Sequence, residues 1–521
     1  MRIAPASICV GLSVALSSAV AIASPVDIKF GGAIGTDLRF RLSKFEVPSG
    51  GEATPYPTQQ RLLKYGFSRN ENLIKAQLTI NVANRVKAVG DVDFVFYGYS
   101  DINDLDAASL QERVDPYRLE SSAGYIDIYR LLPGLDLRLG RQVVAWGTAD
   151  KFNPTNNLNT LDLSDSTQFG RALGNQMIRL DYNPWKDLVF TLVWVPVFRP
   201  ARLPRTARVA LAQVERPPPL QDDSQRNALL DLTAIFPPTN VKVFALQPET
   251  NIQNSQVGFR VAKGFGGIDF SLSYYYGRFG LPVPAWSIFK PGGTVEIGVI
   301  WPRMQVLGFD MAGSIEKLGG LGYWLEVGVF FPQEVRFGIY SDVFGQRDPI
   351  TFTGSKEAGY SAKIGGAEAE RGIVIPKTPF PKVTFGVDYS FNKYVYANFQ
   401  YVYGFIDEFG AGKQGYPKVG AMVGDRPRLE SRLGHYFVLG PDIKVLDERL
   451  LIRLFGAFKI PQWDDPSKKF TAVLYPQLAY AVAAGTELAL GAFIFLGDRS
   501  TKFGDPAAGA TEIFLRGKFT Y

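Results

Sequence analysis

The last eleven residues of this 521-residue chain alternate apolar and polar side chains and end on an aromatic residue. In an extended strand, one face would carry Ile513, Leu515, Gly517, Phe519 and Tyr521. The other face would carry Glu512, Arg516, Lys518, Thr520 and one apolar exception, Phe514. This pattern is typical of the closing strand of a bacterial outer-membrane β-barrel. It predicts that Phe519 and Tyr521 form an assembly signal for the barrel assembly machinery.

The amino terminus has the pattern of a secretory signal peptide. Arg2 precedes an apolar run, and Ala21-Ile22-Ala23 resembles an A-x-A cleavage site. We expect residues 1–23 to be removed and residues 24–521 to form a single outer-membrane β-barrel domain with long extracellular loops. The only cysteine, Cys9, lies in the removed segment. The mature chain is therefore expected to have no disulfide and no thiolate metal site.

The charge balance argues against a nucleic-acid partner. The chain has 56 basic and 50 acidic residues, and removal of Arg2 leaves 55 − 50 = +5. This excess is small for the length of the chain. No cofactor and no metal ion are predicted. The expected partners are outer-membrane lipid and lipopolysaccharide.

Alternation recurs along the whole chain in segments of about ten residues, and no apolar run after residue 23 is long enough for a membrane-spanning helix. The pattern predicts an all-β fold, a transmembrane antiparallel up-and-down β-barrel of eighteen strands, with sixteen as the rival count. The predicted strands are 27–42, 70–82, 86–98, 118–130, 135–146, 176–183, 187–198, 255–263, 268–279, 295–315, 321–331, 382–391, 394–405, 428–439, 449–460, 470–481, 486–496 and 511–521.

The connections support this count because short and long ones alternate, as expected for periplasmic turns and extracellular loops. Short turns are predicted at 83–84, 133–134, 183–186, 264–267, 318–320, 392–393, 440–442 with its extension up to the strand predicted from 449, and 483–485. The long connections include 43–69, 99–117, 147–175, 199–254, 280–294, 332–381 and 406–427. Residues 221–234 in the fourth loop could form an amphipathic helix or an irregular flap.

A barrel of this size has a wall roughly 35 Å across, which is wide enough to enclose an aqueous lumen. The candidate lumen-lining residues are Arg39, Arg41, Lys75, Asp91, Asp93, Arg138, Arg179, Asp181, Arg260, Asp310, Glu326, Arg453 and Arg516. Positive and negative charges nearly cancel, whereas an ion-selective pore is expected to carry rings of one sign. The alternative for each residue is a wall ion pair that stiffens the barrel.

Residues 137–147 read LRLGRQVVAWG, and residues 150–163 read DKFNPTNNLNTLDL. These thirty residues resemble the GRQ-x-x-x-WG strand and the following Asn-rich loop of a proteobacterial outer-membrane porin-like barrel family, which is distantly similar to alginate-export barrels. The resemblance implies movement of lipids, polyketide-like molecules or polymers across the envelope. It further implies periplasmic and inner-membrane RND-type transporter components as partners.

The third loop also carries the predicted pore constriction. Asparagine and aspartate side chains form compact turns by bonding their own backbone, and a tryptophan at the loop's start could anchor it to the wall. The constriction candidates are Trp146, Asp150, Asn153, Asn156, Asn157, Asn159 and Asp162. The alternative is an ordinary outward loop.

Enzyme chemistry finds little support, and we predict no enzyme. His435 is the only histidine, and Ser431 on the same predicted strand lies roughly 13 Å away. The acidic run at 101–106 has a calcium-like spacing but lacks the required glycine. Three functions compete: a channel that passes small polar or amphipathic solutes through a gated lumen, an export component, and a barrel hydrolase, which is the least supported.

Overall fold

The structure is a computed structural model. It describes residues 25–42, 65–100, 102, 104–165, 168–203, 240–342, 348–355, 359–364, 373–375, 377–409, 418–423, 426–430, 433–459, 470–497, 501–504 and 509–521. Residues 1–24, with the predicted signal peptide, and 221–234, with the predicted helix, lie outside this set. Among the described residues the single α-helix is the short Gln111–Val114, and no helix is long and apolar enough to cross a bilayer.

Eighteen antiparallel wall strands form one closed barrel. In chain order, β1 to β18 are Val26–Arg41, Gly66–Val82, Val86–Tyr97, Tyr117–Glu120 with Gly124–Leu132, Leu135–Gln142, Asn175–Trp185, Leu188–Val195, Gln256–Phe265, Ile268–Arg278, Arg303–Ile315, Leu321–Pro332, Phe380–Ser390, Val395–Tyr403, His435–Leu439 with Asp442–Val445, Leu450–Lys459, Thr471–Ala483, Thr486–Gly497 and Glu512–Thr520. The last strand pairs with the first from Ala33 opposite Thr520 to Arg41 opposite Glu512. The predicted count of eighteen is confirmed.

Two wall strands are interrupted, each for a local reason. In β4, the carboxylate of Asp91 on β3 accepts hydrogen bonds from the backbone N–H groups of Ser122 and Ala123, both at 2.8 Å. In β14, Pro441 has no N–H group to donate to the ladder. The predicted short connection, 440–442 with its extension, is therefore wrong in its first three residues, which do not reverse the chain. That stretch is a break inside β14, and the chain reverses at 446–449.

Two predicted strands are too long at their amino-terminal ends. The predicted strand 295–315 enters the wall only at Arg303, and the predicted strand 428–439 enters it only at His435. The preceding residues pair elsewhere, in a second sheet. Local alternation does not distinguish a wall strand from a strand in a loop, because both have the same period of two.

Four consecutive long connections build this second sheet, which we call the rim sheet. Its nine strands are Asn240–Ala245, Val283–Phe289, Thr294–Ile300, Val335–Ser341, Asp348–Ser355, Gly359–Ile364, Ile373–Ile375, Lys418–Val423 and Arg426–Glu430. Parallel pairing joins different loops, as between Asn240–Ala245 and Thr294–Ile300. Backbone hydrogen bonds between different loops thus hold the described parts of these long connections in place.

The outer surface of the wall is apolar. Leu272, Leu490 and Leu515 are 62%, 54% and 51% exposed at mid-strand positions. Each exposed residue alternates with one that faces inward, so the polar side chains of the same strands lie in the lumen. This arrangement matches a barrel whose outside contacts hydrocarbon and whose inside contacts water.

A charge on this surface should be costly. We expect Leu490→Arg, on β17 between the outward Leu515 and Leu478, to reduce the free energy of unfolding in lipid vesicles by about 2–4 kcal/mol if the site lies near the bilayer midplane. Urea titration monitored by tryptophan fluorescence measures this. Leu490→Met is the matched control and should change little. Equal stability of the arginine and methionine variants would contradict the assignment of the outer face.

Candidate functional site

The third loop, residues 143–174 between β5 and β6, lies inside the barrel. Its main attachment is the side chain of Glu326 on β11, which has 0% exposure. Glu326 accepts hydrogen bonds from the backbone N–H groups of Thr148, Ala149 and Thr155 at 3.0, 3.1 and 2.9 Å. It also accepts from the Thr155 hydroxyl at 2.7 Å and the Asn153 amide at 3.2 Å. One wall carboxylate thus receives five hydrogen bonds from the loop.

Glycine at position 147 makes this approach possible. Gly147 has a φ of +88°, and a Cβ there would lie 2.4 Å from Oε1 of Glu326. Any larger residue would clash with the carboxylate and strain the backbone. The preceding Trp146 is buried, with its ring over Gly258 of β8, where a Cβ would lie 2.7 Å from the ring. The Trp-Gly pair of the sequence motif therefore seats the start of the loop.

Further hydrogen bonds fix the loop to neighbouring strands. The hydroxyl of Thr384 on β12 donates to the carbonyl of Phe152 at 2.7 Å. The amide of Gln400 on β13 donates to the carbonyl of Asp150 at 3.3 Å. The exposed Asp150 thus contributes its main chain to the attachment. The first half of the loop is held by β11 to β13.

The second half of the loop is held on the other side of the barrel. Asp165 accepts two hydrogen bonds from the guanidinium of Arg39 on β1, both at 2.8 Å, and one from Arg69 on β2 at 2.9 Å. In a ring of eighteen strands, β1 and β2 lie nearly opposite β11. A segment attached to both must cross the lumen.

The predicted asparagines mostly bond the loop to itself. The Asn157 amide donates to the carbonyl of Pro154 at 2.8 Å. The Asn159 amide donates to the carbonyl of Val144 and the side chain of Asn156, both at 2.6 Å. Asp162 accepts from the backbone and hydroxyl of Ser164. These side chains therefore determine the shape of the loop.

A cavity of about 490 Å³ lies between the loop and the wall formed by β1, β2 and β15 to β18. Aromatic residues line much of it: Tyr97, Tyr99, Phe152, Phe169, Phe405, Phe455, Tyr475, Phe493, Phe495 and Phe503. Charged residues also line it: Arg39, Arg41, Arg69, Glu71, Asp162, Asp165, Asp407, Lys502 and Glu512. The cavity therefore offers both aromatic and charged surface.

The aromatic lining of this cavity was not predicted from the sequence. The one indication was Phe514, the apolar exception on the polar face of the last strand. It is buried and stacks on Tyr475 with the ring centroids 5.5 Å apart. An aromatic residue out of phase in an amphipathic strand marked the apolar patch of the lumen.

Glu408, just beyond β13, holds the segment that carries Phe405. It accepts hydrogen bonds from the backbone N–H groups of Phe405 and Gly434, both at 2.9 Å. Lys459 and Lys502 lie 3.9 and 3.8 Å from its carboxylate. Burial opposes ionisation, but Lys502, Lys459 and the hydrogen bonds outweigh it and lower the pKa of Glu408. Glu408 therefore stays ionised at neutral pH and keeps this aromatic segment in place.

The predicted basic lumen residues all lie beside carboxylates. Besides Arg39, the pairs are Arg41 with Glu512 at 3.3 Å, Lys75 with Asp91 at 3.3 Å and Asp93 at 3.4 Å, Arg138 with Asp127 at 2.5 Å, Arg179 with Asp181 at 2.7 Å, Arg260 with Asp310 at 3.4 Å, Arg453 with Asp442 at 2.6 Å and Arg516 with Asp37 at 3.1 Å. These charges form wall ion pairs. Glu326 differs, since it binds the loop.

The remaining candidates lie apart from the lumen site. Phe519 and Tyr521 are exposed on the outer surface, where the Tyr521 backbone pairs with Gly32. The ring of His435 contacts the Tyr401 hydroxyl at 2.7 Å, and Ser431 is outside the described residues. No group of three or more potential metal ligands occurs in the described ranges, which omit Asp101 and Asn103 of the acidic run.

Comparison with solved structures finds porins. The chain is similar to OccAB1 of Acinetobacter baumannii, with 9% identity, a TM-score of 0.47, and coverage of 95% of this chain and 96% of that one. It is similar to the outer membrane protein opdK of Pseudomonas aeruginosa (9%, TM-score 0.44, coverage 95% and 98%) and to Salmonella typhi OmpF, solved with daunomycin (7%, TM-score 0.36, coverage 95% and 97%). Because these TM-scores are below 0.5, we assign the fold from the strand pairing of this chain and not from the similarity.

No protein-family model and no curated protein matches the chain. The resemblance of the GRQ-x-x-x-WG segment to a porin-like family therefore stays a prediction.

Proposed function

We propose that this protein is an outer-membrane channel for small polar or amphipathic solutes, with the third loop as its gate. Closure of the wall leaves no unpaired sheet edge, which a sheet in hydrocarbon requires. Eighteen strands enclose more space than side chains of the wall fill. The apolar outer surface and the polar lumen suit transport through the barrel.

The crossing of the lumen by the third loop carries this proposal. The loop is bonded to Glu326 on one side and to Arg39 and Arg69 on the other. A segment with this course narrows the passage. Its attachments are hydrogen bonds between side chains and backbone, which can break and reform without disturbing the wall strands.

The large cavity supports an amphipathic solute. Its aromatic side chains can contact an apolar or planar portion of the solute, since aromatic rings bury large apolar areas. Its charged side chains can bind hydroxyl, amide or charged groups. A purely polar sieve would not need ten aromatic side chains in the lining of the cavity.

Single-channel recording in planar bilayers tests the gate. We expect Glu326→Ala to raise the fraction of time in the high-conductance state by more than tenfold. A hydrogen bond to a charged group contributes about 1.5–3 kcal/mol, and about 1.4 kcal/mol corresponds to tenfold. Glu326 accepts five hydrogen bonds from the loop, so its removal weakens the closed position most.

Asp388→Ala on the adjacent β12 is the matched control. Asp388 accepts a hydrogen bond from Tyr396, and within the described residues it forms no hydrogen bond or ion pair with the third loop. We expect its conductance to equal that of the wild type. Absence of any conductance from correctly folded wild-type barrels would overturn the channel, whereas identical recordings from the wild type and Glu326→Ala would overturn only the gate.

A further inference from the structure

Four cations near the third loop differ from the paired charges of the wall. In the part of the chain that the structure describes, Arg141, Arg199, Arg278 and Lys382 have no carboxylate within 4.0 Å. The eight predicted basic lumen residues each have one. Positive and negative charges nearly balance in the sequence as a whole, but they do not balance locally. Positive charge accumulates on one side of the third loop.

The partners of three of these cations are carbonyl and amide oxygens. Arg199 donates to the carbonyl of Gly174 at 2.7 Å. Arg278 donates to the carbonyl of Trp301 and the side chain of Asn254, both at 2.6 Å. These neutral acceptors satisfy some of the donors of each guanidinium without neutralising its charge. Glu120 and Asp162 act on Arg199 only from beyond ion-pair distance.

Lys382 also donates to carbonyl oxygens rather than to a carboxylate, and it is more buried than the two arginines. It is 4% exposed, and its ammonium donates to the carbonyl of Phe405 at 2.7 Å. Around Arg199, burial and the positive charges of Arg141 and Arg202 lower the pKa of the guanidinium. Carboxylates act on Arg199 and Lys382 only from beyond ion-pair distance. A half-buried or buried cation without a direct ion pair is costly unless an anion completes the site.

Arg199, Arg278 and Lys382 line one small cavity of about 60 Å³. The third loop forms one side of it with Asn156 and Asn157, and the rings of Phe198, Phe279 and Phe330 add apolar surface. This volume suits a small charged group with a short apolar portion. The three cations belong to or follow β7, β9 and β12. The cavity shares Phe152 with the larger cavity, but Phe493, Phe495 and Phe514 do not line it.

We infer that this cavity is a binding site for a small oxyanion, such as the carboxylate of a short organic acid or inorganic phosphate. Guanidinium groups bind carboxylate and phosphate oxygens through charge-assisted hydrogen bonds. The asparagine side chains of the loop supply neutral contacts. The site goes beyond the proposed function, because binding does not require that the barrel conduct.

Isothermal titration calorimetry of the full-length barrel in a neutral detergent tests this inference. The probes are butyrate, inorganic phosphate and butan-1-ol, which matches butyrate in carbon count but is uncharged. We expect butyrate or phosphate to bind at one site and butan-1-ol to give no comparable heat. Binding of butyrate alone would identify the ligand as a carboxylate with an apolar tail. Binding of phosphate alone would identify it as an inorganic oxyanion without such a tail.

The double variant Arg199→Gln, Arg278→Gln should weaken oxyanion binding by at least tenfold. Arg453→Gln, which removes a wall arginine paired with Asp442, is the control and should bind within twofold of the wild type. Heat-modified migration on gels confirms that each barrel is folded. If the double variant does not fold, Arg199→Gln alone, outside the wall strands, should weaken binding about threefold.

Three results would overturn the inference. The first is that the wild type binds neither butyrate nor phosphate. The second is that butan-1-ol binds as well as butyrate, and the third is that the folded variant without the Arg199 guanidinium binds the oxyanion with unchanged affinity. Each can be obtained whether or not the barrel conducts in a bilayer, so failure of the oxyanion site is distinguishable from failure of the channel.

Discussion

Replacement of residues 150–165 by a Gly-Ser segment of equal length will raise the single-channel conductance at least about twofold and admit larger neutral solutes. The replacement removes the Asp165 carboxylate that binds Arg39. It also removes the Thr155 and Asn153 side chains that bind Glu326, so the new segment loses side-chain attachments on both sides of the lumen. The wall strands keep their pairing. Planar-bilayer recording and liposome swelling with sugars of increasing size measure the change.

The amount of heat-modifiable folded barrel serves as the control for this replacement and should equal that of the wild type. Trp146→Ala should give a weaker form of the same change, because it loosens only the packing against Gly258 and Leu158. If the folded replacement variant has unchanged conductance, the narrowest part of the passage lies elsewhere, for example beneath the rim sheet.

Deletion of Tyr521 combined with Phe519→Ser will abolish insertion into the outer membrane. We predict that the assembly machinery recognises these two aromatic residues, whose rings lie side by side with centroids 6.2 Å apart. The deletion also removes the backbone pairing of Tyr521 with Gly32, both hydrogen bonds being 3.1 Å. Membrane fractionation and surface protease accessibility are the measurements.

Thr520→Ser is the control for this double change and should be silent, since it leaves both rings in place. A normal amount of the double variant at the cell surface would show that the terminal aromatic residues are not the assembly signal. The closing role of β18 would remain, because its pairing with β1 extends to Arg41 opposite Glu512.

The wall of the barrel was predictable because its physical requirement repeats every two residues. Outward positions such as Leu272 and Leu515 contact lipid, and their neighbours contact water, so each strand carries its own evidence. The predictions failed where that evidence was misleading. Residues 295–300 alternate like a wall strand but pair in the rim sheet, and Gly440-Pro441 looks like a turn but interrupts a strand.

The site was less predictable because its contacts join distant parts of the chain. Glu326 was predicted only as a lumen residue, since nothing local shows that it binds residues 171 to 178 positions away. The arginine partners of Asp165 lie on β1 and β2, so this pairing also has no local signal in the sequence. Arg199 and Lys382 were not among the predicted lumen residues, because a missing counter-ion becomes visible only in three dimensions.

The rim sheet limits how the long-loop end of this barrel can be altered. Its strands come from four different loops, and parallel pairs join one loop to another, as Trp286 opposite Gly338 and Val374 opposite Arg428 show. An epitope or affinity tag inserted into one of these strands would remove hydrogen bonds from its partner in a second loop. The four loops therefore form one unit for protein engineering, and grafts should exchange them together.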